Sequence, residues 1–168
     1  MLRLRPLRPD DEAAFRAGHD ELAAQGFTLG LFLEPDLTWA EYLRIIADYR
    51  AGANLPDGYV PGTFLVADVD SQIVGRVSIR HELNAVLLAE GGHIGYVVLE
   101  QFRGRGYATE MLRQGLIVAR SAGVDRVLVI CGENNIGSSR VIEANGGKLE
   151  PGRHVDTAGH PIRRYWID

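Results

Sequence analysis

The chain has 168 residues, 46% hydrophobic and 24% charged, the balance of a soluble globular protein rather than a disordered one. At roughly 100–200 residues per domain, one domain spanning 1–168 is expected. A net charge of −4 speaks against a general nucleic-acid binder, and a lone cysteine, Cys131, excludes an intrachain disulfide and a cysteine-based zinc site.

The charge is uneven. Residues 1–90 hold 8 basic and 14 acidic side chains, whereas residues 91–168 hold 10 and 8, so the second half suits a compact anion. Apolar runs such as Val127–Cys131 are far shorter than the roughly 20 residues a bilayer requires. The start, Met1-Leu-Arg-Leu-Arg-Pro, lacks an apolar signal core. A cytoplasmic protein with no membrane contact is expected.

Leu2–Arg5 alternates like a first strand, and Pro9-Asp-Asp-Glu reads as a helix start with acids at the positive end of the dipole. That helix should run through Phe15 towards Leu22. A second is predicted from Thr38 to Tyr49, with Thr38 and Glu41 spaced as a capping box. Gly52 to Gly62 reads as loop. Thr63–Val69 and Gln72–Arg80 form a hairpin signal, residues 81–91 are ambiguous, and His93–Leu99 is a third β-rich run. Ala108, Met111, Leu112, Gly115, Leu116 and Ala119 recur at helical spacing, with Gly123 placed to stop the helix. A short strand at Val127–Cys131, a helix over 136–144 stopped at Asn145-Gly146, and a strand–turn–strand tail complete the chain. The order βααβββαβαββ describes an α/β fold: a mixed, mostly antiparallel central sheet with helices on both faces. The strand–helix–strand unit at 93–131 calls for a parallel pair with a right-handed crossover.

One segment carries chemistry. In Tyr96-Val-Val-Leu-Glu-Gln-Phe-Arg103-Gly-Arg-Gly106-Tyr-Ala108 a strand ends, the chain turns through two glycines, and a helix begins. Such a helix start offers unpaired N–H groups and a positive dipole end. Glycines admit close approach, and Arg103 and Arg105 add cationic forks. The segment reads as a pyrophosphate cradle. A P-loop would need a lysine that is absent here. A dinucleotide fingerprint would need a small residue where Thr109 stands, and an acid about 20 residues on. Both nucleotide readings fail.

Arg103-x-x-Gly106-x-Ala108 resembles the acetyl-CoA-binding motif of the GNAT superfamily of N-acetyltransferases, although Gln101-x-x-Gly104-x-Gly106 fits as a rival register. Gly92-His-Ile-Gly-Tyr-Val-Val resembles that family's fourth strand, and Asn135-x-x-Ser138 followed by Glu143-Ala-Asn-Gly-Gly147 resembles its second cofactor motif. The likeness is close over roughly 63–150 and is strongest to bacterial predicted acetyltransferases of unassigned substrate.

The resemblance implies acetyl transfer from acetyl-CoA to a primary amine of a small molecule or protein, by direct attack in a ternary complex and without a metal. It implies that Tyr96, Val97 and Val98 pair with the pantetheine arm. It also implies that Gly104, Arg105, Gly106, Tyr107, Ala108 and Thr109 wrap the pyrophosphate with Arg103, and that Asn135 and Ser138 contact the cysteamine end. It further implies two sheet strands that splay apart, here His93–Val98 and Val127–Cys131. Dimers are common in the family, so a homodimer stays open.

The family's usual acid, a tyrosine seven residues after the asparagine, is replaced by Ile142. Tyr165 is the substitute considered. His93 is the chosen base, with Glu133 as runner-up; the alternative for His93 is a ring bonded across the sheet. Cys131 is read as a small hydrophobe rather than a nucleophile. Trp39, Tyr42 and Ile46 are read as core. Glu34, Asp36 and Asp57 are read as solvated surface acids rather than a site for a cationic amine, while the acidic first half as a whole leans weakly towards a cationic acceptor. The rival from another class is a catalytically silent acyl-CoA-binding or sensor module, motivated by the missing tyrosine.

Overall fold

Alternation along one strand sorts the whole interior. In β2 (Gly62–Val69), Phe64 and Val66 face one core, and Leu65 and Ala67 face the other. A period of two puts successive side chains on opposite faces. The computed structural model describes residues 1–168 and assigns each core its own helices. Against the first lie α1 (Glu12–Ala23) and α2 (Trp39–Ala51), through Phe15, Leu22, Trp39, Tyr42 and Tyr49. Against the second lie α3 (Tyr107–Ser121) and α4 (Ile136–Ala144), through Met111, Leu112, Leu116 and Ile142.

The strands form two four-stranded sheets. In the first, β1 (Arg3–Arg5), β2, β3 (Gln72–Arg80) and β4 (Ile94–Val98) follow in order, all antiparallel. In the second, β8 (Pro161–Ile167) lies between β5 (Val127–Gly132) and the two-residue β6 (Lys148–Leu149), and also pairs with β7 (His154–Val155). The tail, expected as two strands, is thus one long strand and two short ones. No helix is long and apolar enough to cross a membrane.

Local signals explain most boundaries. Thr38 caps α2, accepting from the Glu41 amide at 3.3 Å, while the Glu41 carboxylate accepts from the Thr38 amide at 2.9 Å. Gly123 ends α3 at φ +88°. After α4 it is Gly146, at φ +85°, that turns left-handed, not Asn145. The ambiguous 81–91 stretch includes a single wide helical turn at Leu87–Gly91, clamped when Arg164 donates to the Leu88 and Ala89 carbonyls.

The parallel pair expected between β4 and β5 is not a ladder. The strands meet only where they begin. There the His93 N–H donates to the Leu128 carbonyl at 2.7 Å, and the Leu128 N–H donates to His93 Nδ1 at 2.9 Å. Gly92 makes the approach tolerable. It sits at φ +66°, and a Cβ there would stand 2.7 Å from the Leu128 oxygen. Beyond this vertex the sheets diverge.

A buried ion triad ties the start of the chain to β2. Arg5 donates to both Asp11 oxygens at 2.7 and 2.8 Å and to Asp68 at 2.7 Å. Burial pushes both carboxyls up, but the guanidinium outweighs it and holds them below their ordinary values. Arg5→Ala would strand two buried carboxylates. It should cost about 3–5 kcal/mol in urea unfolding, and a loss below about 1 kcal/mol would contradict this assignment. The vertex gives a second prediction. Burial, aided by the Arg80 charge, lowers the His93 pKa below its ordinary 6.5. The neutral ring that accepts from Leu128 therefore stabilises the fold fully above pH 6.5, and that contribution is lost as the pH falls through the lowered value. The melting-temperature advantage of the wild type over His93→Gln should shrink on going from about pH 7 to about pH 5. A difference constant with pH would contradict it.

Candidate functional site

The gap beyond the vertex is a cleft of about 490 Å³. Its walls are β4, the turn after it, the first turn of α3 and the start of α4. Of the twelve residues expected to hold the cofactor, eleven line it: Tyr96, Val97, Val98, Arg103, Gly104, Gly106, Tyr107, Ala108, Thr109, Asn135 and Ser138.

The floor is main chain. Six consecutive amides, Gly104 to Thr109, donate to no acceptor in the protein; the first helical bond runs from Glu110 to the Gly106 carbonyl. The turn is possible because Gly104 and Gly106 take φ +74° and +78°, and it aims the positive end of a 15-residue helix at the cleft. Orphaned donors in such a row fit a polyanion.

One wall is also main chain. The Arg80 and Leu99 amides donate to the His93 and Val74 carbonyls, so odd-numbered residues of β4 bond to β3. In an antiparallel register the alternate residues turn away. The Tyr96 peptide groups and the Val98 amide thus face the gap, where β5 supplies no partner, while the Val98 carbonyl accepts from Arg103. An extended amide-bearing chain can pair there as a strand would.

The opposite wall is the start of α4. Asn135 caps that helix, its Oδ1 accepting from the Ser138 amide at 3.0 Å. Ser138 Oγ meets the Tyr96 hydroxyl at 2.7 Å and so links β4 to α4. Burial raises the Tyr96 pKa to about 12, so the phenol stays protonated at any working pH.

The arginines behave differently from expectation. Arg103 lines the cleft, but its guanidinium is already engaged. It donates to the Val98 carbonyl at 3.1 Å and to Gln25 at 3.0 Å, beside the Phe27 ring. Arg105 does not line it. Its guanidinium lies 5.6 Å from the Phe102 ring centroid and donates to the Gln101 carbonyl. Arg105 is held by its own turn and Arg103 by the end of β4 and the segment after α1, so the cradle is made chiefly by backbone.

The two residues expected to move protons lie apart from the cleft. His93 is 7% exposed at the vertex. A ring whose Nδ1 accepts a main-chain amide carries its proton on Nε2 and keeps no free lone pair. Tyr165 is fully buried in the second core and donates to Glu143 at 3.1 Å. Ile142 is fully buried as well. Cys131 is buried against the Ser139 hydroxyl at 3.6 Å, whereas Glu133 is exposed just past β5. The sequence motif gives Tyr96 only a backbone role and carries no sign of Phe27 or Phe102 as apolar lining; Val141 is legible, three residues beyond Ser138 on the same helix face.

The family model for the acetyltransferase (GNAT) domain matches residues 1–148. No curated protein matches the chain. Solved structures of the same fold include an acetyltransferase of the GNAT family from Streptococcus pneumoniae. It is 18% identical, with a TM-score of 0.68 and coverage of 99% of this chain and 98% of that one. Salmonella typhimurium yncA, solved with its cofactor acetyl-CoA, is 14% identical, with a TM-score of 0.64 and coverage of 99% and 93%. Mycobacterium smegmatis RimJ, solved with CoA-disulfide, is 23% identical, with a TM-score of 0.68 and coverage of 99% and 81%. A sheet split at one vertex, a run of free amides at a helix start and a family match over residues 1–148 lead to one conclusion: the chain belongs to the GNAT acetyltransferase family.

Proposed function

We propose that the protein binds acetyl-CoA in the cleft and transfers its acetyl group to a primary amine by direct attack. The observation that carries this reading is the row of six unpartnered amides meeting an unpaired strand edge in one cleft. The amides of Gly104–Thr109 would hold the pyrophosphate, and the Tyr96 peptide groups and the Val98 amide the pantetheine amides. Bound acetyl-CoA supplies an activated thioester.

An unperturbed lysine-type amine, with a pKa near 10.4, is neutral in only about one molecule in two thousand at pH 7, so proton removal has to be assisted. Of the two bases considered, Glu133 has a free, exposed carboxylate, while His93 spends its lone pair on Leu128 and positions the vertex instead. A departing thiolate, with a pKa near 8.5, asks little help. The Tyr96 hydroxyl, a protonated group that lines the cleft, would donate to it in the place of Tyr165. The buried Ile142 favours a second reading, an acyl-CoA-binding module without turnover; release of free thiol separates the two.

Two predictions follow from these roles. At 100 times its Kd, CoA should add about 2.7 kcal/mol to stability. Gly106→Asp, which sets a carboxylate among the free amides, should abolish the thermal shift. Arg105→Ala should weaken binding less than about threefold, since that side chain is outside the cleft. No shift with the wild type would contradict the reading. Tyr96→Phe should lower kcat by about tenfold, less than is usual for a lost proton donor because the thiolate leaves readily, with the Kd for acetyl-CoA nearly unchanged. An unaltered kcat would remove Tyr96 from the chemistry.

A further inference from the structure

On the other face of β4 two arginines converge without an acid to meet them. Arg76 and Arg80 lie on β3, whose register sets Ser78, the residue between them, opposite Gly95 of β4. A Cβ at Gly95 would stand 3.3 Å from Arg80 Nη1 and 3.7 Å from Arg76 Nη1. Both guanidinium groups therefore lean over the one residue of β4 that has no side chain, next to Tyr96 of the cleft. Neither has a carboxylate within 4.0 Å. Arg76 donates to the Gly95 carbonyl at 3.2 Å and the Thr28 carbonyl at 2.9 Å, and its Nε is buried with no partner. Arg80 meets neither carboxylate nor carbonyl and stands beside the Tyr49 and Tyr59 phenols. Burial lowers both pKa values, that of Arg76 to about 10.

The surroundings are equally incomplete. The Tyr42 hydroxyl and Ser78 Oγ are buried and unpartnered. Phe32 holds a φ of +60°, in the left-handed region a bulky residue rarely adopts. That conformation sets its ring 5.5 Å from Tyr49 and 4.9 Å from Tyr59. A strained aromatic, three unsatisfied polar atoms and two unpaired guanidiniums in one place are expensive for a fold that gains nothing from them. Asp48, on the same helix as Tyr49, is engaged by Asn54 at 2.9 Å.

We propose that Arg76 and Arg80, walled by Phe32, Tyr49 and Tyr59, bind a compact oxyanion, a carboxylate or phosphate, carried by the acceptor amine. The identity of the occupant as acceptor rests on the acetyl-transfer reading above. Paired guanidinium forks match either oxyanion. The acidic surface of the first half leans towards a cationic acceptor, but Glu34, Asp36 and Asp57 are exposed to solvent, while the charges against β4 are positive.

The test compares matched acceptors by thiol release: amino acids against their amides, and phosphoethanolamine against ethanolamine. The anionic member of at least one pair should have kcat/KM at least about tenfold higher. Arg80→Gln should bring that ratio towards one, and Arg80→Lys should restore part of it. A preference for the neutral members, or an anionic preference untouched by Arg80→Gln, overturns the proposal. If no acceptor in the panel turns over, the CoA-saturated protein is titrated with inorganic phosphate and acetate against chloride at constant ionic strength. Thermal stabilisation that Arg80→Gln removes supports the site, and stabilisation no greater than chloride gives overturns it. Failure to bind CoA at all would sink the acetyl-transfer reading, and the phosphate titration would still report on the arginines.

Discussion

Main-chain groups that leave water need partners, and the central feature of this molecule is a place where two adjacent strands do not supply them. β4 and β5 share only the His93–Leu128 exchange before they part. Everything distinctive follows from that vertex. The Tyr96 peptide groups and the Val98 amide are left facing a gap, the start of α4 drops in opposite them, and the turn into α3 closes one end. Packing beneath the gap holds the sheets open, with Ile142, Tyr165 and Met111 fully buried. The Tyr96–Ser138 hydrogen bond joins β4 to α4 across it.

The same strand divides two electropositive environments built from different materials. On the α3 side the positive potential comes from amides and a helix dipole, and the nearby arginines are occupied by other protein groups. On the α1–α2 side it comes from the Arg76 and Arg80 side chains. Backbone donors cost no side-chain entropy and suit a ligand common to a whole family. Net charge says nothing of either site, because the exposed acids that make the total −4 are elsewhere.

Much of this was legible in the sequence, where the signal was local. The Thr38–Glu41 box, the α3 periodicity and the stop at Gly123 each fix a boundary through contacts a few residues apart. The phosphate turn was legible because glycines at φ > 0 and a following amphipathic helix leave few other conformations. What was not legible was direction. Arg105 was expected to point at the ligand, yet the Phe102 ring three residues back captures it. His93 reads equally as base or as strut until Leu128, 35 residues away, takes its lone pair. Tyr165 alternates into the core because β5 fixes its register. Arg76 and Arg80 passed unnoticed, since the absence of a carboxylate partner is a property of three-dimensional neighbours alone.

The central claim is that the Gly104–Thr109 amides are free in order to receive the cofactor's phosphates. Its most direct measurement is the amide NMR spectrum of the labelled protein during a CoA titration, followed by hydrogen exchange of the complex. The expected result is large downfield shifts and new exchange protection at Gly104–Thr109, with protection at Tyr96 and Val98 and little change on the far faces of α1 and α2. Amides of that turn that neither shift nor gain protection while CoA is bound would contradict the account.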